Sequence, residues 1–212
     1  MAGLTAPAAA NPQWLWFLSR GSGLVLLVLC TAVVVLGVAT RTGWAPRRWP
    51  RFVAAELHRT LSLFALGLLA LHVVTAIADP YVSIGWAATA IPFLSPYRTL
   101  AIGLGTLAVD LGAAVLLTSV LRHRLGLRAW RAVHWLAYLA WPATFAHALR
   151  AGGDLRTGWV AGTIWGCAAA VAAAVAAAAV ARPPARSSMR WRSRRALTFG
   201  PGARPGSRGS TR

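Results

Sequence analysis

Apolar residues in this chain form long runs, and charged residues are gathered into short segments between them. Crossing about 30 Å of hydrocarbon takes roughly 20 mainly apolar residues in a helix. Because a backbone in lipid must satisfy its own hydrogen bonds, we predict that each qualifying segment is a helix. The expected fold is an all-α, polytopic membrane bundle of about five transmembrane helices, with spans at 14–38, 54–78, 99–121, 129–149 and 159–181.

The polar and irregular segments divide the chain into three parts. Residues 1–13 are rich in Ala and Pro and are expected to form a mobile leader, and residues 14–181 form the bundle. Residues 182–212 are rich in Arg, Pro, Gly and Ser, which predicts a basic, disordered tail. The connection 79–98 is long and apolar, and two interpretations stand equally: a re-entrant or interfacial helix, or a loop packed over the bundle.

Composition and charge support a membrane protein and argue against a nucleic-acid-binding one. The chain is 57% apolar with only 12% charged residues, and its mean hydropathy is +0.57. The formal net charge of +18 comes from 22 basic residues, all of them arginine. They concentrate after the first, third and fifth spans. This positive-inside pattern places the N-terminus outside and the C-terminus in the cytoplasm of a cell-membrane protein.

Four of the five histidines lie in predicted spans: His58 and His72 in the second, His134 and His147 in the fourth. Ionisable groups at membrane depth are costly and usually functional. The two spans run in the same direction, and their histidines are about 21 Å and about 19.5 Å apart along the helix axes. The spacing therefore predicts two levels, with His58 opposite His134 near the cytoplasm and His72 opposite His147 towards the outside.

The direction in which these side chains point is a harder requirement. Fourteen residues of α-helix return to within about 40° of the starting face, whereas thirteen residues miss it by about 140°. The fourth span must therefore be rewound between His134 and His147. Pro142 lies between them and cannot donate to the carbonyl of Tyr138, so we predict a kink or bulge at this proline.

Two imidazoles facing each other across a gap suit haem iron with two axial ligands. Since there is no CxxCH motif, the expected group is non-covalent haem b, with two haems favoured and one haem left open. Zinc needs its ligands gathered around one ion, which pairs about 20 Å apart cannot provide. A proton relay would have Asp110 and Glu56 as its carboxylates. Histidines that only join helices, in a non-redox transport or assembly protein, remain the alternative.

Haem propionates need cationic partners. Arg20, among small residues in the outer part of the first span, is the best candidate for binding the cofactor. Arg59, Arg98 and Arg150 are weaker candidates, and snorkelling of Arg20 to the outer surface is the alternative interpretation. The role of Asp110 stays open.

Three stretches together resemble the ferric reductase-like transmembrane domain family: LHRTLSLFALGLLALHV (57–73), FLSPYRTLAIGLGTLAVDLG (93–112) and RAWRAVHWLAYLAWPATFAHAL (128–149). The likeness covers about residues 14–181. Membership would imply ligation of an inner haem b by His58 and His134 and of an outer one by His72 and His147. It would also imply electron transfer from the cytoplasmic to the outer side.

The chain departs from that family in one respect. Full-length ferric reductases and oxidases of this kind have a cytoplasmic FAD- and NAD(P)H-binding module after the last span, and no such site is expected here. The electron donor would then be a separate flavoprotein or a quinol. The acceptor on the outer side could be Fe(III), dioxygen or a redox protein.

Overall fold

The computed structural model describes residues 13–42, 50–82, 84–152 and 158–180. Within these ranges the regular structure is entirely helical. The leader 1–13, apart from its last residue, and the tail 182–212 lie outside the described residues, as do the arginines at 47 and 48. The elements in chain order are α1 (Gln13–Thr42), α2 (Arg51–Ala78), a 3₁₀ helix (Trp86–Thr89), α3 (Thr99–Val120), α4 (Arg122–His134), α5 (Ala137–Ala151) and α6 (Gly158–Val180).

Four helices are long and apolar enough to cross a membrane: α1, α2, α3 and α6. Many of their large apolar side chains point outwards; Phe64, for example, is 67% exposed. Such exposure would be unfavourable in water but is expected where lipid is the solvent. The predicted polytopic helical bundle is thus confirmed, with the first, second, third and fifth predicted spans each forming one long helix.

The fourth predicted span is the one that differs, because it is divided between α4 and α5. Gly126, at φ 77°, interrupts α4, so the inner part of this crossing starts at Leu127. A two-residue turn then separates His134, the last residue of α4, from α5. α5 has only 15 residues, and it crosses the bundle together with the second half of α4.

Helical winding changes between α4 and α5, one turn before the position that the sequence predicted. Pro142 lies inside α5, whereas the tightened backbone precedes it. A 3₁₀ turn advances about 120° per residue instead of about 100°, so the five steps from His134 to Leu139 recover about 100°. Pro142 has no N–H and its ring crowds the carbonyl of Tyr138, which accounts for a disturbance in the preceding turn. The hydrogen bonds between residues three apart are Leu136 N to Val133 O (2.8 Å), Tyr138 N to Trp135 O (3.0 Å) and Leu139 N to Leu136 O (3.0 Å).

The bundle is organised around α1 and α3. α1 packs against α2, α5 and α6, and α3 packs against α4 and α5. The most buried cluster lies between α1 and α6 and includes Leu27, Ile164 and Cys167. Trp141 of α5 donates from Nε1 to the Thr31 hydroxyl of α1 at 3.0 Å. Within the described residues α2 packs extensively on α1 alone, so a separation remains between α2 and α5.

The connection between α2 and α3 packs over the bundle, and its regular structure is limited to the four-residue 3₁₀ helix. The hydroxyl of Thr106, buried in α3, donates to the carbonyl of Ala88 at 2.7 Å. Phe93 has a φ of 65° and places its ring against Gly103 of α3. Among the described residues of this connection there is no longer helix, which favours the packed loop over the re-entrant helix.

Gly103→Ala tests this packing. An added methyl group would overlap the Phe93 ring, whereas nothing lies within 4 Å of the same position at Gly112 of the same helix. We expect the Gly103 variant to lose about 1–3 kcal/mol of stability through overpacking. Gly112→Ala should be neutral or slightly stabilising. Thermal unfolding of both variants in detergent measures the difference, and equal midpoints would contradict the proposed contact.

Candidate haem-binding site

The four membrane histidines form two facing pairs. The ring centres of His58 and His134 are 6.4 Å apart with an angle of 64° between ring planes. Those of His72 and His147 are 6.3 Å apart with an angle of 81°. We name these pairs the His58 level and the His72 level. They are the pairs that the sequence spacing predicts, and each joins α2 to the α4–α5 segment.

The tightened winding described above makes this pairing geometrically possible. On α2, fourteen residues of ordinary helix leave His58 and His72 within about 40° of one face. On α4–α5, the thirteen-residue shortfall of about 140° is reduced to about 40° by the 3₁₀ bonds between residues 133 and 139. His134 and His147 therefore both face α2.

The separation within each pair fits one metal ion between two imidazoles. A metal–imidazole nitrogen bond is about 2 Å long and the nitrogen lies about 1.2 Å from its ring centre, so opposed ligands have ring centres roughly 6–6.5 Å apart. Both observed separations lie in this range. Within the part of the chain that the structure describes, no three His, Cys, Asp or Glu side chains gather around one point. Two opposed ligands are what an iron already held by four porphyrin nitrogens requires.

Three of the four histidines donate a hydrogen bond from Nδ1 to a backbone carbonyl of a neighbouring helix. A carbonyl oxygen can only accept, so Nδ1 carries the proton and Nε2 keeps its lone pair. Metal-binding histidines in proteins are commonly oriented by such a bond from the other ring nitrogen. The acceptors are Val33 for His58 at 2.9 Å, Ser19 for His72 at 2.9 Å and Ala101 for His147 at 2.7 Å.

A glycine lies four residues after each of these carbonyls and accommodates the imidazole ring. A Cβ at Gly23 would lie 2.9 Å from His72, one at Gly37 would lie 3.4 Å from His58, and one at Gly105 would lie 2.7 Å from His147. These glycines let the helix backbone approach the ring closely enough for the hydrogen bond. Each of the three histidines thus meets the same unit, a carbonyl at position i and a glycine at position i+4.

This unit was not predicted, although the sequence contains a signal for it. Gly23 and Gly37 are fourteen residues apart on α1, matching the fourteen residues between His58 and His72. Because α1 and α2 are antiparallel neighbours, an equal spacing places each glycine beside one histidine. The equal spacing could have been recognised, but the carbonyl acceptors could not, since every residue has one.

His134 is the exception. Its Nδ1 is buried and has no hydrogen-bond partner among the described residues. Trp130, one turn earlier on α4, packs beside it with ring centres 5.0 Å apart and planes 33° apart. The Trp130 Nε1–H donates to the hydroxyl of Ser119 on α3 at 3.2 Å.

The candidate arginines do not gather at one place. Arg20 follows Ser19, whose carbonyl binds His72, and its guanidinium lies over the Trp16 ring at 4.7 Å. It is therefore at the His72 level along α1. Arg98 donates from Nη1 to the Ala151 carbonyl at 3.1 Å and so caps the C-terminus of α5.

The remaining polar candidates lie apart from the histidine pairs. Arg98 and Arg150 line a shallow depression of about 390 Å³ beside Ala101, at the same end of the bundle as the His72 level. Arg59 forms an ion pair with Glu56 at 3.7 Å, and both side chains are exposed. Within the described residues Asp110 has no hydrogen bond or ion pair, and its role stays open.

No protein-family model, curated protein or solved structure matches this chain. The resemblance to ferric reductase-like transmembrane domains therefore rests on the sequence motifs.

Gly23→Ala tests the glycine contact. The added methyl would meet Cε1 of His72 at 2.9 Å, which forces the ring away from the Ser19 carbonyl. Losing such an orienting bond weakens metal ligation by about 10–100-fold, so haem should be lost from the His72 level. The control is Gly21→Ala on the same helix, where nothing lies within 4 Å. Haem per protein, from the pyridine haemochrome spectrum, should fall in the first variant alone; an equal content in both would contradict the contact.

Proposed function

We propose that this protein transfers electrons across the membrane through haem b held by two histidine pairs. The observation that supports this best is the geometry of the pairs, with ring centres 6.3–6.4 Å apart. Three Nδ1–H groups are engaged with carbonyls, which leaves Nε2 as the nitrogen able to bind a metal. Haem bound at both levels would supply one-electron redox chemistry at two depths of the bilayer.

The chain's own residues would hold, orient and enclose the cofactor. His58 and His72 project from α2, which packs on α1, while His134 and His147 project from the segment that packs on α3. The separation between α2 and α5 is the space in which a planar macrocycle would lie. The carbonyl bonds fix the tautomer and the ring orientation before any metal binds, so little rearrangement is needed on binding.

The proposed direction of transfer follows from charge and from the resemblance. Arginines favour the cytoplasmic side, which makes the His58 level the inner one and the His72 level the outer one in a cell membrane. We propose that the protein is the membrane subunit of an oxidoreductase system. Electrons would enter from a separate flavoprotein or a quinol and leave to an acceptor on the outer side.

Difference spectroscopy tests the haem proposal. The purified protein, expressed with ample haem supply, should give b-type bands in a dithionite-reduced minus oxidised spectrum and contain two haems per chain. His147→Ala should remove or alter the His72-level haem and leave the other bis-histidine spectrum intact. Absence of haem b from the unaltered protein would indicate that the histidines only join helices, as in a non-redox membrane protein. Loss of both haems, or of neither, would contradict the two-level arrangement.

Reporter fusions test the proposed orientation. A fluorescent protein that matures only in the cytoplasm should be active when fused after residue 212, and alkaline phosphatase, active only outside, should not be. The fusions should behave in the opposite way when placed after residue 82, in the connection between α2 and α3. The reverse pattern at both sites would invert the assignment of inner and outer levels.

A further inference from the structure

The two histidine levels differ in how firmly the structure supports their ligands. At the His72 level, both imidazoles donate Nδ1–H to a carbonyl and both lie against a glycine. At the His58 level only His58 has these contacts, while the buried Nδ1 of His134 is unpartnered within the described residues. One of the four proposed ligands is thus held without an orienting hydrogen bond.

The antiparallel register of α3 explains why His134 lacks this bond. His147 bonds to the Ala101 carbonyl, and the Trp130 side chain bonds to Ser119. Because the helices are antiparallel, moving back along α4–α5 from His147 means moving forward along α3 by about the same number of residues from Ala101. The same register places His134 beside Ala114 and Val115. Thr118 then stands where Gly105 stands relative to His147.

Thr118 fills the place that a glycine would leave open. Its hydroxyl donates to the Ala114 carbonyl at 2.8 Å, and the Ser119 hydroxyl donates to the Val115 carbonyl at 2.6 Å. Such a bond does not by itself exclude an imidazole, because the Ser19 carbonyl accepts both from the Ser22 hydroxyl at 3.0 Å and from His72 Nδ1 at 2.9 Å. The difference at His134 is the Thr118 side chain, because this register gives its Cβ and hydroxyl the place that Gly105 leaves open for the His147 ring.

The backbone at His134 is also less regular than the backbone at the other three histidines. His134 is the last residue of α4 and lies within the stretch of hydrogen bonds between residues three apart. Such bonds have poorer geometry than those of an α-helix. The tilted Trp130 ring lies beside the imidazole but offers no acceptor for Nδ1. Ring contact restrains the position of His134 without fixing the direction of its nitrogens.

We infer that His134 is the exchangeable ligand, and that reduced haem at the His58 level binds a small neutral π-acceptor such as carbon monoxide in its place. The inference rests on the proposed haem function. In the exchange the bond from iron to His134 Nε2 breaks and an iron–carbon bond forms, with no change of oxidation state. Since an orienting partner strengthens ligation by about 10–100-fold, the His72-level haem should need about 10–100-fold more carbon monoxide.

Titration of the reduced, full-length protein with carbon monoxide is the first measurement. At low concentration half of the haem should show the Soret shift of a carbon monoxide complex, and the other half should not. If none of the haem shifts, or all of it shifts in one transition, the inference is wrong while the haem function stands. If the unaltered protein contains no haem b, the proposed function itself fails.

Two single substitutions then identify the level. In His147→Ala all of the remaining haem should bind carbon monoxide, whether the His72-level haem has become five-coordinate or has been lost. In His134→Ala, half of the haem should bind carbon monoxide if the His58-level haem has become five-coordinate, and none should bind if that haem has been lost. The opposite pattern would assign the exchangeable ligand to His147 and overturn the inference. This comparison remains valid when a variant loses one haem.

Thr118→Gly tests the cause. Removing the hydroxyl and Cβ frees the Ala114 carbonyl and opens the space for His134, so carbon monoxide affinity of the His58-level haem should fall about tenfold or more. Thr163→Gly is the matched control, because its hydroxyl also bonds to the carbonyl four residues earlier, that of Trp159 at 2.9 Å, but at an exposed position of α6. Affinity that is unchanged in the first variant, or reduced equally in both, would overturn the assignment to Thr118.

Discussion

The hydrogen bond from an imidazole Nδ1 to a helix carbonyl is the interaction on which this bundle's organisation depends. A polar side chain in hydrocarbon is unfavourable unless its donors are paired, and helix carbonyls are the acceptors available at that depth. Such a carbonyl still has a second lone pair after bonding within its helix. It can be reached only where the neighbouring side chain is absent, which is why glycines 23, 37 and 105 stand four residues after the three acceptors.

This requirement fixes how the helices are aligned. On α1 the acceptor Ser19 and the acceptor Val33 are fourteen residues apart, as are His72 and His58 on α2. Fourteen residues are close to four turns, so one antiparallel register satisfies both contacts at once. A shift of the two helices by one residue would disrupt both hydrogen bonds and place a side chain where each glycine now makes room for a ring. The contacts thus specify register in a bundle whose mainly apolar outer surface specifies little.

On α3, only one of the two facing histidines finds an acceptor carbonyl with a glycine four residues after it. His147 has its carbonyl and its glycine, whereas the register of α3 gives His134, thirteen residues earlier, Thr118 in the place of a glycine. Tightened winding before Pro142 turns His134 towards α2 but supplies no acceptor for its Nδ1. The proposed haem sites therefore combine similar ligand spacing with different support, and that difference is the kind that separates a stable electron carrier from one open to external ligands.

The sequence by itself determined the elements and the identity of the histidines, because apolar run length and the cost of ionisable groups in lipid are local properties. It also indicated the pairing, since axial rise depends on residue number alone. Only the tertiary structure decided where the fourth crossing is rewound, how residues 79–98 pack, and which carbonyl receives each imidazole. Those outcomes depend on contacts between different helices. Gly105 and Thr118 look equally compatible with a membrane span until α4 and α5 are placed against α3.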